Sequence, residues 1–171
     1  RDVRAGKTDW IAIEAELIAD QDLALVEDLA KLRELIIDHS QITDEGFARL
    51  ANLTKLEHLR VREAPITDAG IRHLRGLRSL RILNLPQARF TDAALAELTQ
   101  LERLELLRFG SPHVTDRGLA YVKQLPNLRF LHLIDTPITD QGLRHVEGLA
   151  NLESLYLDGT GVTDEGLERL L

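Results

Sequence analysis

Aspartates recur at a regular spacing along this chain, and an array of carboxylates could in principle bind a metal ion or transfer protons. They belong to Thr-Asp pairs that repeat every 24 residues without an insertion or deletion: Thr43-Asp44, Thr67-Asp68, Thr91-Asp92, Thr115-Asp116, Thr139-Asp140 and Thr163-Asp164. Each pair precedes an apolar run with helical spacing, where side-chain oxygens accept hydrogen bonds from the unpaired amides of a first helical turn. Because each aspartate is then needed by its own helix, the pattern indicates helix capping and disfavours a catalytic or metal-binding array.

The other residue types that support catalysis or metal binding are few and scattered. Cysteine is absent, which excludes a thiol nucleophile and a thiolate metal site. His58 and His132 are three repeats apart, about 14–15 Å on a parallel sheet, which is too far for one metal ion. Gly159, Gly161 and Gly166 match neither spacing of the phosphate-binding glycine loops. We therefore predict no catalytic residue, no metal site, no cofactor and no enzyme activity in this chain.

Composition excludes several classes of protein. Of the 171 residues, 44% are hydrophobic, 29% are charged and 34 are leucine, so a disordered chain and a disulfide-stapled scaffold are both excluded. No apolar stretch approaches the roughly 18–20 residues of a membrane span, and the N-terminal residues lack the apolar core of a secretory signal. The formal net charge of -7 argues against nucleic acid as a ligand, because phosphate binding relies on clustered Lys and Arg. We expect a soluble protein whose compartment the composition leaves open.

Leucine columns define the repeat. With threonine as position 1, positions 11, 14 and 17 are leucine in each copy, as in Leu53, Leu56 and Leu59. Positions 17 to 19 alternate with the period of a strand, whereas positions 5, 8 and 11 recur at near-helical spacing. A strand and a helix of one unit cannot bury their apolar sides alone, so the units must stack on one another. We predict one domain spanning residues 1–171 with about seven 24-residue coils, of which residues 1–18 form a degenerate N-terminal coil.

The unit L-x-x-L-x-L-x-x-(S/T/A/P)-x-(I/V/F)-T-D-x-G-L resembles the leucine-rich repeat family over about residues 9–171. It is similar to the T-D-x-G-L type found in ribonuclease-inhibitor-like horseshoes, F-box-associated repeats and bacterial repeat proteins. The resemblance implies an α/β leucine-rich repeat solenoid, a horseshoe with a parallel sheet on the concave side and helices on the convex side. Many family members place an inward asparagine in one column of the repeat. This sequence has other residues in that column, so we expect that the ladder of side-chain hydrogen bonds is broken. That column holds Ser40, Ala64, Ala88, Pro112, Thr136 and Thr160.

Positions 16, 18 and 20 point outward from the strands of such a sheet, because positions 17 and 19 point inward. Ile82, Leu106 and Phe130 are consecutive at position 16, on a face where the core requires no apolar residue. Apolar patches with polar rims are typical of interaction sites, and arginine, histidine and tyrosine supply the rim. The alternatives are scattered surface hydrophobes, or a patch covered by a segment outside this sequence. The predicted partner-binding residues are His58, Arg60, Arg62, Ile82, Asn84, Leu106, Arg108, Phe130, His132, Ile134 and Tyr156.

A second pattern lies at the residue that precedes each predicted strand. Position 15 alternates strictly in sign through Arg33, Glu57, Arg81, Glu105, Arg129 and Glu153. Opposite charges are then lateral neighbours on adjacent coils, and each exposed pair contributes only about 0–1 kcal/mol. We interpret the alternation as support for the register between coils and not as a binding site.

These observations predict a non-catalytic scaffold that binds a protein or peptide of unspecified identity through its concave face. Two alternatives stay open: a substrate-recognition arm of a larger enzyme or ubiquitin-ligase-like assembly, and a structural repeat that self-associates end to end through Leu170 and Leu171. The chain begins at Arg1 without an initiator methionine and stops within a predicted helix without a polar C-terminal cap, so we expect a fragment of a longer protein. We expect a monomer that binds no nucleic acid and has no membrane span.

Overall fold

Each repeat unit folds into a strand followed by a loop and a short helix, as its two hydrophobic periods predict. The computed structural model describes residues 9–13 and 17–170. Its strands are β1 (Trp10–Ile13), β2 (Ile18–Ala19), β3 (Glu34–Ile37), β4 (Ser40–Gln41), β5 (His58–Val61), β6 (Ile82–Leu85), β7 (Leu106–Phe109), β8 (Phe130–Leu133) and β9 (Ser154–Tyr156). Its α-helices are α1 (Asp44–Leu50), α2 (Asp68–His73), α3 (Asp92–Leu98), α4 (Asp116–Val122), α5 (Asp140–Leu143) and α6 (Asp164–Glu168). A 3₁₀ helix, Asp20–Leu25, takes the helical place in the first coil, and a second one, Leu74–Gly76, follows α2.

Parallel pairing at a constant register joins the coils. Among the described residues, a seven-stranded sheet has the order β1-β3-β5-β6-β7-β8-β9, and β2 pairs separately with β4. Residues 24 apart are lateral partners, so Leu83 pairs with Leu59 on one side and with Leu107 on the other. The predicted α/β solenoid with an in-register parallel sheet is confirmed. The physical reason is the constant period, because any other register would turn a leucine column out of the core.

The leucine columns form the core between the sheet and the helices. Leu59, Leu83 and Leu131 have no solvent exposure. Phe90 and Phe109 are also fully buried, and their ring centroids lie 5.2 Å apart. The leucines of the last coil are only partly buried because they have a neighbouring coil on one side alone. Burial therefore rises from this end towards the middle of the stack.

The Thr-Asp pairs link neighbouring coils as well as starting helices. Thr115 caps α4, since its hydroxyl oxygen accepts a hydrogen bond from the Arg117 amide at 3.3 Å. The Asp92 carboxylate accepts hydrogen bonds from the amide and the hydroxyl of Thr115 in the next coil, both at 2.7 Å. The same two bonds recur from the pair Asp20 and Thr43 onwards. The prediction that threonine caps the helix is thus confirmed, except at α6. The prediction that each aspartate caps its own helix is wrong, because its carboxylate bonds to the next coil.

Small residues follow each Thr-Asp pair because the carboxylate of the previous coil lies against them. A Cβ atom on Gly118 would overlap Asp92 Oδ1. Ala94 stands at the equivalent place of another coil, where it is fully buried and the bonds from Thr91 to Asp68 are retained. The position therefore requires small size and not the backbone freedom of glycine.

The column expected to carry inward asparagine uses short hydroxyl side chains where it is polar. Ser40 is buried, and its hydroxyl donates to the Arg62 carbonyl at 2.8 Å. One coil differs from the expectation, because Ser111 is buried and donates to the Phe90 carbonyl at 2.7 Å, whereas Pro112 is exposed. Hydroxyl groups thus satisfy single carbonyl groups locally, without a continuous ladder of amide side chains.

Two predictions about the ends of the chain lie at least partly outside the described residues. The degenerate N-terminal coil, residues 1–18, is described only for residues 9–13 and 17–18, so its boundary stays a prediction. Leu171, one of the two residues expected to mediate end-to-end association, also lies outside the described residues. Among the helices that the structure describes, none combines the length and the apolar character needed to cross a bilayer.

Candidate functional site

Three strands present apolar side chains on the outer face of the sheet. The register places Ile82 beside Leu106, and Leu106 beside Phe130. All three side chains are half-buried. They point away from the core because the alternate residues of the same strands, such as Leu107, point into it. Since neighbouring strands lie about 4.8 Å apart, these three residues form one continuous surface, which we call the apolar row.

A second row lies two residues further along the same strands. It consists of Asn84, Arg108, His132 and Tyr156, which the register makes lateral neighbours, and we call it the polar row. The rings of His132 and Tyr156 meet edge to face, with centroids 4.4 Å apart. Tyr156 is 53% exposed, whereas the other three are half-buried. The polar row thus consists of half-buried side chains on β6 to β8 and of an exposed aromatic ring on β9.

Three atoms of the polar row have no hydrogen-bond partner among the described residues. They are Asn84 Oδ1, Arg108 Nε and His132 Nε2, each covered by neighbouring atoms. Buried polar atoms are normally hydrogen bonded, so this concentration in one row distinguishes it from the rest of the described surface. Burial lowers the pKa of His132 from its ordinary value of 6.5, and the positive charge of Arg108 lowers it further. Its imidazole is therefore neutral near neutral pH.

The predicted site residues on β5 differ from those on β6 to β9. Arg60 donates to Asp38 Oδ1 from Nε at 2.8 Å and from Nη2 at 2.5 Å. His58 Nδ1 lies 3.0 Å from Glu34 Oε1. These two side chains are already engaged by acidic residues of the preceding coil. This part of the surface is therefore polar and electrostatically compensated within the chain.

Arg62 and Ile134 lie just beyond the ends of β5 and β8. The Ile134 amide continues the ladder by donating to the Phe109 carbonyl at 3.0 Å, and the Arg62 amide does the same with Ile37 at 2.9 Å. Arg62 is exposed and Ile134 is half-buried. The backbone therefore carries all eleven predicted residues on the outer side of the sheet, and it brings the apolar ones together only from β6 to β8.

Gly110, which packs against two neighbouring coils beside this surface, is not among the predicted site residues. Gly110 follows β7, and a Cβ atom there would overlap the Pro86 carbonyl oxygen and lie 2.8 Å from the Ile134 carbonyl oxygen. Gly110 is buried, and the chain's own backbone fills the space that a side chain there would need. A glycine in a column next to a strand was the available signal, because it often marks the close approach of another backbone.

The alternating charges at position 15 pair at every second junction between coils. Arg81 Nε donates to Glu105 Oε1 at 2.8 Å, and Arg129 Nε donates to Glu153 Oε1 at 2.7 Å. The hydrogen bond from Arg81 is the main cause that lowers the pKa of Glu105. The Arg129 guanidinium also lies 5.2 Å from the centroid of the Phe130 ring. This cation–π contact was missed from the sequence, although the two residues are adjacent in it.

Within the described ranges, no three histidine, aspartate or glutamate side chains converge in a way that could hold a metal ion. The surface instead offers apolar contact, uncharged polar groups and the guanidinium of Arg108, which forms no ion pair with a described residue. Such an arrangement can bind a ligand, and it contains no nucleophile paired with a base.

The comparisons with known proteins agree with this geometry. A family model described as Leucine Rich repeat matches residues 29–51 and 148–171. An internalin (inlF) from Listeria monocytogenes superposes on 99% of this chain with a TM-score of 0.80 and 24% identity. The chain has the leucine-rich repeat fold. The ribonuclease-inhibitor-like subtype stays a prediction, because the matching structures include internalins and receptors.

Other solved structures match with lower TM-scores. An internalin C2 (inlC2) from Listeria monocytogenes matches 81% of this chain with a TM-score of 0.63 and 26% identity. A plant peptide hormone receptor, RGFR1 in complex with RGF2, matches 94% of this chain with a TM-score of 0.57 and 21% identity. This chain spans 47% of the first internalin, 64% of the second and 26% of the receptor. No curated protein sequence matches it.

Proposed function

We propose that this chain is a non-catalytic scaffold that recognises a protein or peptide partner through the concave face of its sheet. The observation that carries the proposal is the apolar row of Ile82, Leu106 and Phe130, which is contiguous and lies beside the polar row. Apolar side chains on a face that the core does not need are typical of interaction sites. Arginine and tyrosine beside them are residue types that contribute strongly to binding free energy.

The stacked sheet favours such binding because its backbone is ordered before a partner arrives. Strands β3 and β5 to β8 are each hydrogen bonded to a strand on both sides. The bonds between Asp92 and Thr115, and their equivalents, hold successive helices in the same register. Association therefore orders few additional groups of the scaffold, which lowers the entropic cost of binding.

The comparisons support a binding role at the level of architecture. A receptor with this fold was solved in complex with RGF2. This chain spans only part of the length of its structural relatives. A role as the recognition arm of a larger assembly is therefore part of what we propose and not a finding.

A capture experiment with two matched aromatic variants tests the proposal. Phe130→Ala truncates the apolar row, and Tyr121→Ala truncates an aromatic side chain of helix α4 that is 37% exposed. Wild type and both variants are immobilised, exposed to a lysate of the source organism, and compared by quantitative mass spectrometry. We expect a protein that wild type and Tyr121→Ala retain and that Phe130→Ala loses, and that then binds purified wild type directly. Equal retention by all three forms would remove the concave face as the binding surface.

End-to-end self-association is a second candidate with an observation of its own. Leu152, Leu155 and Leu157 of the last coil are partly buried, and Leu167 of α6 is 41% exposed. An apolar end that includes an edge strand is a surface to which another sheet edge can add. Light scattering over a concentration series tests this candidate. A molar mass that rises with concentration supports it, and a constant monomer mass contradicts it.

A further inference from the structure

The two strand arginines of the concave face differ in how their charge is compensated. Arg60 lies beside a residue of the preceding coil that is 22 positions earlier, Asp38, and forms an ion pair with it. The equivalent neighbour of Arg108 is Pro86, which has no charge. Arg108 forms no ion pair with any residue that the structure describes. In a chain with a formal net charge of -7, this half-buried cation stands without a carboxylate.

The surroundings of Arg108 make a ligand carboxylate the group that fits best. Its Nε is covered and unpaired, so the fork of the guanidinium has only its terminal nitrogens to offer to a ligand. Its lateral neighbours in the polar row, Asn84 and His132, carry no negative charge. A partly desolvated guanidinium forms stronger hydrogen bonds with a carboxylate than with a neutral acceptor, and it can do so with two parallel bonds.

The apolar row sets the second requirement on the ligand. Leu106 and Arg108 are on the same strand and the same face, two residues and therefore about 6.6 Å apart. An extended peptide repeats its side chains on one face at the same interval. A peptide that places a carboxylate on Arg108 therefore places the side chain two residues away over Leu106 and Phe130.

We propose that Arg108 anchors an acidic side chain of an extended partner segment, in which a large apolar residue two positions away packs on the apolar row. This inference rests on the proposed function and specifies the chemistry of the partner. The occupant is an acidic and apolar peptide segment. A basic ligand is disfavoured because it would place positive charge against Arg108. Nucleic acid is disfavoured by the formal net charge of -7, which opposes binding of a polyanion.

Selection from a displayed library of random peptides of about twelve residues provides the probe. Enriched peptides are synthesised in two forms, with the acidic residue intact and with Asp→Asn or Glu→Gln, and are titrated calorimetrically against the full chain. We expect Asp or Glu two positions from Leu, Ile, Phe or Trp, and we expect the amide form to bind wild type about tenfold or more weakly. Arg108→Gln should bind both forms alike. Arg117→Gln, an exposed arginine on helix α4 of the same coil, should preserve the difference.

The outcomes separate this inference from the proposed function. Peptides that bind wild type but not Phe130→Ala, and that show no preference for the acid, would overturn the inference and leave the concave scaffold standing. Peptides that bind Phe130→Ala and Arg108→Gln as tightly as wild type would count against both. Enrichment of basic peptides, or of none, overturns the inference. Thermal unfolding of each variant checks that it is folded, and Arg108→Lys, which keeps the charge without the fork, should retain only part of the preference.

Discussion

Replacement of Leu131 by alanine is the most direct measure of how the stacked coils are held together. Leu131 lies on β8 with no solvent exposure, between Leu107 on β7 and Leu155 on β9. The substitution removes three buried carbons, which corresponds to about 2.4 kcal/mol of transfer free energy at about 0.8 kcal/mol per carbon. A residual cavity of about 50 Å3 would add roughly 1 kcal/mol. We therefore expect the free energy of unfolding to fall by about 2–5 kcal/mol.

Leu155→Ala is the matched control for this prediction. It stands in the same leucine column one coil further on, but it is only partly buried. Its truncation should therefore cost clearly less than that of Leu131. Urea unfolding followed by far-ultraviolet circular dichroism gives both values from the midpoint and slope of the transition. Equal costs for the two variants, or a loss below about 1 kcal/mol for Leu131→Ala, would refute the assigned core packing.

Three further predictions concern charges whose roles follow from the stacking. Asp92→Ala should lower the free energy of unfolding by about 1–3 kcal/mol, because it removes two hydrogen bonds to the next coil. Asp164→Ala, at the same place in the last described helix, should cost less. Equal losses of the two variants in urea unfolding would contradict this prediction. Arg81 lowers the pKa of Glu105 from its ordinary 4.5, so stability falls as pH decreases through the carboxylate range, and Arg81→Gln should flatten that fall in acid unfolding curves. Burial lowers the pKa of His132 below 6.5, so the unfolded chain takes up this proton first as the pH drops; His132→Gln should weaken the loss of stability between about pH 7 and 5. An unchanged pH dependence would argue against the burial of the imidazole.

Interactions between coils were only partly predictable. The leucine columns predict the lateral pairing of Leu59 with Leu83 because an uninterrupted period leaves a single register that keeps leucine inside. The Thr-Asp pattern is equally consistent with two roles, capping within a helix and bonding across coils, and sequence reasoning chose the first for aspartate. In the structure Asp92 is bonded to Thr115 of the next coil, because stacking places the amide and the hydroxyl of Thr115 within hydrogen-bond distance of its carboxylate.

The sequence by itself determined the period, the alternation of strand and helix, the inward leucines and the outward apolar row. These follow from local periodicity, which every unit repeats. Only the tertiary structure decided which outward charges are compensated, since Arg60 and Arg108 occupy the same position in their units. Their difference comes from a neighbour on the preceding coil, which is Asp38 for Arg60 and Pro86 for Arg108. These neighbours are 22 and not 24 residues earlier in the chain, so their contact with the arginine follows only from the stacking of the strands.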